Sequence, residues 1–150
     1  MRCYSAVDDQ AVTASPGDTV VSLTSAATIR PAVYELILGT TGTPGDQAIE
    51  WQLRRFDTAD GTGDALAEQP VDPADPAALA TAKGNHTVEP TYGSLAIPLI
   101  LGIHQRATFH WRAMQGRGIK IPAVATEGVG IVPFNASYIG LATATMFWEE

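Results

Sequence analysis

Two stretches of strict alternation limit what this chain can become. In Ile49–Arg55, Ile49, Trp51 and Leu53 fall on one side while Glu50, Gln52 and Arg54 fall on the other. In Ala107–Arg112, Ala107, Phe109 and Trp111 oppose Thr108, His110 and Arg112. Successive side chains of a strand project to opposite faces, so this pattern puts one face in a core and the other in water or against a partner. One-sided strands belong to antiparallel sheets, because parallel sheets are covered on both faces and need continuous apolar runs.

Further strands are expected at Arg2–Val7, Thr19–Leu23, Ala32–Thr40, Leu95–Leu101, Arg106–Met114, Gly118–Ile121, Gly130–Phe134 and Leu141–Trp148. In Ala32–Thr40 the alternation puts Tyr34, Leu36 and Leu38 on one face and Val33, Glu35 and Ile37 on the other. Turn chemistry separates the runs. Ser15-Pro16-Gly17-Asp18, for example, supplies the fixed φ of proline and the permissive φ of glycine. Eight or nine short strands punctuated in this way predict an all-β fold, a single antiparallel β-sandwich domain over residues 1–150.

A polar insert over residues 57–91 interrupts the series. From Asp57 to Asp75 it carries Asp57, Asp60, Asp64, Glu68, Asp72 and Asp75 without a basic residue. Within it, Asp75 reads as an N-cap, Pro76 is preset for a first turn, alanines follow, and Gly84 can stop the run in αL. These features predict one short helix over Asp75–Lys83. A connection this long is either functional or a solvated crossover between sheets.

The charge balance narrows the partners. A formal charge of -7 argues against duplex nucleic acid, whose affinity comes from Lys and Arg at phosphates, and against an anionic membrane surface. Cys3 is the sole cysteine, so no internal disulfide is expected and a small buried hydrophobe is the simplest role for it. The start of the chain has no apolar run of signal-peptide type, and the longest apolar stretch, Leu95–Ile103, is broken by Pro98 and Gly102. Synthesis in a cytoplasm, with no membrane partner, is therefore expected.

Residues able to do chemistry stand apart from one another. His86, His104 and His110 have no second ligand at metal spacing, so no metal and no cofactor is expected. His110 lies on the polar face of its strand; His86, in Asn85-His86-Thr87, is expected at the turn that follows the helix. Gly93-Ser94-Leu95 is not a nucleophile elbow, and the carboxylates of the insert lie in a hydrophilic loop that would keep them ionised and solvated. Asp57-x-x-Asp60-Gly61-x-Gly63-Asp64 has the oxygen ligands of a calcium loop but lacks its terminal Glu. No catalytic residue is assigned, and an enzyme is not expected.

The aromatic residues are more informative. Trp51, Phe109 and Trp111 fall on the apolar faces of their strands and are expected in the core. Phe147 and Trp148 are adjacent, so a regular strand turns one of them away from the core, toward another chain or under the N-terminal segment.

Several segments carry a likeness to a known family. They are Arg30-Pro31-x-x-Tyr34-Glu35-Leu36-Ile37-Leu38-Gly39, Thr43-Pro44-Gly45-Asp46 leading to Trp51-Gln52-Leu53-Arg54-Arg55, and Asp72-Pro73-Ala74-Asp75-Pro76 with the alanines after it. Asn85-His86-Thr87-x-Glu89-Pro90-Thr91, Gln105-Arg106-Ala107-Thr108-Phe109-x-Trp111 and a Thr/Ala-rich final strand complete them. This texture resembles the small β-sandwich capsid decoration (cement) proteins of tailed bacteriophages. The resemblance implies a jelly-roll-like subunit, a homotrimer, the major capsid protein as partner, and a place on the capsid exterior, where the protein stabilises the assembled shell. Candidate capsid or subunit contacts are Arg2 and Tyr4 in the N-terminal segment, Asp57, Asp60 and Asp64 in the insert, and Phe147 and Trp148 in the last strand. The alternative is a carbohydrate- or receptor-binding sandwich of a phage tail or fibre, which would need an exposed aromatic platform beside carboxylates.

Overall fold

The computed structural model describes residues 1–12, 18–93, 97–134 and 140–150. The turn at Ser15-Pro16-Gly17, the serine Ser94 and the sequon at Asn135 lie outside the described residues. Among those described there are twelve strands and no helix. In chain order the strands are β1 (Cys3–Val12), β2 (Val21–Thr24), β3 (Ala32–Thr41), β4 (Ala48–Phe56), β5 (Thr62–Ala65), β6 (Gln69–Pro70), β7 (Thr81–Val88), β8 (Leu99–His104), β9 (Phe109–Arg112), β10 (Ile119–Lys120), β11 (Gly128–Pro133) and β12 (Gly140–Glu149).

They form two antiparallel sheets. In sheet A the order is β10-β3-β12-β1-β6, with β9 also paired to β3; in sheet B it is β5-β7-β2-β11-β4-β8. One apolar cluster joins the sheets. Tyr4, Leu36, Leu38, Met146 and Trp148 enter it from sheet A, and Leu23, Ile49, Trp51, Leu53, Val129 and Ile131 from sheet B. The arrangement is sandwich-like, with each sheet hiding the alternate residues that the sequence marks as apolar. Ile49, Trp51 and Leu53 are buried as their spacing requires.

The insert departs from expectation. No helix forms over Asp75–Lys83; residues 81–88 are strand β7, paired to β2 with Leu23 opposite Ala82 and Val21 opposite Gly84. The amides a helix would have used are captured by distant carboxylates. Glu150 accepts from the backbone of Leu79 at 3.0 Å and of Ala80 at 2.9 Å, and Glu68 accepts from Ala82 at 2.8 Å. The Tyr4 hydroxyl donates to the Pro76 carbonyl at 3.0 Å. Alanine favours a helix only weakly in isolation, and here burial of Ala80 and Ala82 between the sheets is worth more. Gly84 belongs to the same close approach. A β-carbon there would overlap the Asp8 carboxylate across the sandwich.

Two face assignments also change. The register between β3 and β12 slips between Phe147, which faces Glu35, and Trp148, which faces Val33, so β3 carries Tyr34 as an extra residue. Val33 therefore turns inward with Leu36 and Leu38, while Tyr34 moves outward, its ring 6.3 Å from that of Phe147. Phe109 and Trp111, both expected in the core, are half-buried on β9 at the sheet edge; Trp111 packs against the core cluster, and Phe109 is not part of it.

Candidate interaction surfaces

The outer face of sheet A is built by three long strands in register. Residues directly opposite on neighbouring strands share a face, so Val7, Thr145, Ile37 and His110 form one row across the sheet. Ser5, Phe147, Glu35 and Arg112 form the next. No described strand covers these rows. Val7 is 64 % exposed and Leu141 40 %. Small and β-branched residues keep the surface low; its charges are exposed Asp9 on β1, Glu149 at the end of β12, and Glu35, which accepts from His110 at 2.8 Å and lies 3.8 Å from Arg112.

At one end of this face a cavity of about 690 Å³ opens between β1, β3 and the loop after β9. Met1, Cys3, Tyr34, Arg112, Met114 and Glu149 are among its walls. Burial and the adjoining Cys3 push the Tyr34 hydroxyl up to about 12, so it is a neutral hydrogen-bonding group across the physiological range.

The outer face of sheet B is different, because the chain after β7 folds back over part of it. His86 is buried there. Its Nδ1 lies 3.1 Å from the Thr19 carbonyl, which can only accept, so Nδ1 carries the proton and Nε2 accepts from the Ser22 hydroxyl at 3.1 Å. Glu89 accepts from the Thr19 amide at 3.1 Å and from the Thr19 hydroxyl, which also contacts the Tyr92 hydroxyl. Burial raises the Tyr92 hydroxyl well above its ordinary range. Arg54 sits with its guanidinium 4.6 Å from the Tyr92 ring and 5.9 Å from that of Phe134. The Ser22–His86 pair has a base and a hydroxyl in reach, yet both are sealed beneath the β5 segment, where Gly63 lies against the imidazole ring. What the pair does is hold β2 to β7.

The expected contact residues separate into groups. Tyr4 and Trp148 are fully buried, their rings stacked 5.9 Å apart, and offer no surface to a partner. Phe147 is the outward member of its pair, half-buried beside Tyr34. Arg2 is exposed, its backbone tied to Glu150 in both directions at 3.1 and 2.9 Å. Asp57 is exposed and accepts from neighbouring Thr58; Asp60 pairs with Lys83 at 2.7 Å; Asp64 accepts from Asn85 at 2.8 Å. The structure does not bring Asp60 and Asp64 to Arg2 and Phe147.

His86 is the functional-looking residue that the sequence misplaced. The signal was partial: Ala82, Gly84 and His86 are each buried between more exposed neighbours, but Asn85 at φ 45° changes the facing. Gly84 lies against Asp8 inside while His86 turns to Ser22, and the helix reading of the alanines obscured the strand. Among the described residues no group of three or more His, Cys, Asp or Glu stands where it would hold a metal ion. Compared with family models, curated proteins and solved structures, the chain matches none.

Proposed function

We propose that this chain is a structural virion protein that binds the outer surface of an assembled phage capsid and stabilises it, as a jelly-roll-like subunit of a homotrimer. It acts without catalysis or a cofactor, is made in the host cytoplasm, and ends on the capsid exterior. The resemblance of the segments from Arg30 onward supports this reading. The structural observation that carries it is the open outer face of sheet A. Apart from the cavity at its Tyr34 end, this face is low and broad, which suits a partner that is itself extended, such as a shell of major capsid protein. Arg2 and Phe147 lie toward one end of that face and are the retained contact candidates there.

Binding to the shell and not to free capsid subunits would stabilise the particle by mass action. The test adds purified protein to undecorated capsids and follows co-sedimentation and thermal rupture. Decorated particles should rupture at higher temperature, and absence of co-sedimentation with unchanged rupture sinks the proposal.

One observation favours the glycan-binding alternative. Phe134 is partly exposed beside Arg54 and Tyr92 on sheet B, giving an aromatic edge next to a cation. Trp51 is buried and cannot serve as a stacking platform, so that reading would rest on Phe134. Loss of binding to a glycan array on Phe134→Ala would be its signature.

A further inference from the structure

Charge is sorted along this chain, and the fold turns that sorting into two opposite sides. Six carboxylates and no basic residue lie between Asp57 and Asp75. From Pro90 to Thr126 there is no Asp or Glu, and the stretch carries Arg106, Arg112, Arg117 and Lys120. On one side of the sandwich, the chain passes from β5 at the edge of sheet B to β6 at the edge of sheet A, bringing Asp64, Asp72 and Asp75 with it. On the other, it passes from β8 at the opposite edge of sheet B to β9 and β10 at the opposite edge of sheet A, bringing the four basic residues. In sheet B the two sides are β5 and β8, five strand spacings apart. At about 4.8 Å per strand that is roughly 24 Å, beyond a screening length of about 8–10 Å, so the two sides do not neutralise one another within a molecule.

Local pairing leaves each side with charge to spare. Lys83 takes Asp60, Asp46 lies near Arg106 at 3.9 Å, and Glu35 serves His110 and Arg112. Arg117 and Lys120 have no ionic partner among the described residues, nor do Asp64 and Asp75. Each side also carries exposed apolar residues. Beside the acidic side, Val71 and Leu79 are 57 % and 53 % exposed. Beside the basic side, Met114 is 79 % exposed in the loop between β9 and β10.

We propose that copies of this chain associate head to tail, the acidic side of one against the basic side of the next, with Val71 and Leu79 packed against the neighbour's Met114. This rests on the self-association in the reading above and not on shell binding. A contact between two different surfaces of the same chain propagates until it closes into a ring or runs on as a filament.

The experiment is light scattering over a salt series, with thermal melts to show that each variant is folded. Wild type should assemble at low salt and dissociate as salt rises. Asp64→Lys, Asp72→Lys and Asp75→Lys together leave three carboxylates of the segment against three introduced lysines and Lys83, which turns that side positive. Arg117→Glu with Lys120→Glu gives a chain negative on both sides. Each alone should self-associate at least about tenfold more weakly, because like charges face each other across the contact. Mixing the two variants should restore assembly, since each then meets its opposite. Leu79→Glu, at an exposed position, provides a second reading independent of the paired carboxylates and should also weaken assembly. A wild type that stays monomeric at all salts, or a mixture that stays monomeric while both variants are folded, overturns the proposal. Wild type that is monomeric yet co-sediments with undecorated capsids would overturn this inference and leave the shell reading standing. Salt-sensitive assembly without co-sedimentation would do the reverse.

Discussion

Trp148 lies stacked on Tyr4, with ring centroids 5.9 Å apart and planes inclined by 27°, and its indole N–H donates to Glu150 at 3.2 Å. The same Glu150 carboxylate accepts from the amides of Leu79 and Ala80, and the Tyr4 hydroxyl reaches the Pro76 carbonyl. One aromatic pair thus joins β1 to β12 and fixes the acidic insert to sheet A.

Trp148→Ala should cost about 3–5 kcal/mol of folding stability, the range for removing a large buried aromatic side chain. Trp111→Ala, at a half-buried edge position, should cost less, about 1–2 kcal/mol from the apolar area alone. Equilibrium denaturation in urea would measure both. Equal losses would show that Trp111 is as deeply packed as Trp148.

Glu150→Ala should cost about 1–3 kcal/mol, because two backbone amides and an indole N–H lose their acceptor together. Hydrogen exchange localises the effect: Leu79 and Ala80 should exchange faster in the variant, with β11 unchanged. Exchange that speeds up uniformly would mean that the carboxylate supports the whole fold and not the insert.

In Ile49–Arg55 the apolar face was legible because Ile49, Trp51 and Leu53 are buried as their polarity requires; Gln52, on the polar face, is buried too, its amide donating to Glu50. The final strand was legible for the same reason, with Ala142, Ala144 and Met146 buried and Thr143 and Thr145 outside. What the sequence concealed depends on partners far along the chain. The alanines before Gly84 look helical until Glu150 and Glu68 claim their amides. Tyr34 and Val33 exchange faces because β12 meets β3 with one residue to spare. His86 looks like a turn residue until Ser22 and Thr19 are beside it. The sorted charges were half visible: the acidic run was plain, but that the basic stretch lies on the opposite side is a property of strand order.

Asp8 gives a pH signature. Burial raises its carboxyl above the usual range, so the folded state holds that proton more tightly than the unfolded chain does. Stability from this group is therefore fully present below the unfolded value, about 3.9, and is lost as pH rises through the folded one. Asp8→Asn should be more stable than wild type at neutral pH, and the advantage should disappear in acid. Thermal melts from pH 3 to 8 would check this, and an advantage independent of pH would assign the effect to something other than ionisation.

His86→Ala should cost about 2–3 kcal/mol, since the Ser22 hydroxyl and the Thr19 carbonyl would both be left buried without a partner. Tryptophan-monitored denaturation is sufficient to see it. A neutral outcome would show that water reaches this site.

The order of the strands in space has a consequence for how the molecule comes into being. β12 is the last strand in the chain order, yet it occupies the middle of sheet A, between β3 and β1. Until β12 is made, β1 and β3 have no common neighbour in their own sheet, although the strands of sheet B that face them are already present. Sheet A is therefore assembled in one late step, when a strand made at the end is inserted between two made near the beginning. Pairings so distant in sequence fold slowly, because a long loop must be closed before any contact rewards it. Until then the edges of β1 and β3 that β12 will occupy are open to pairing with another chain.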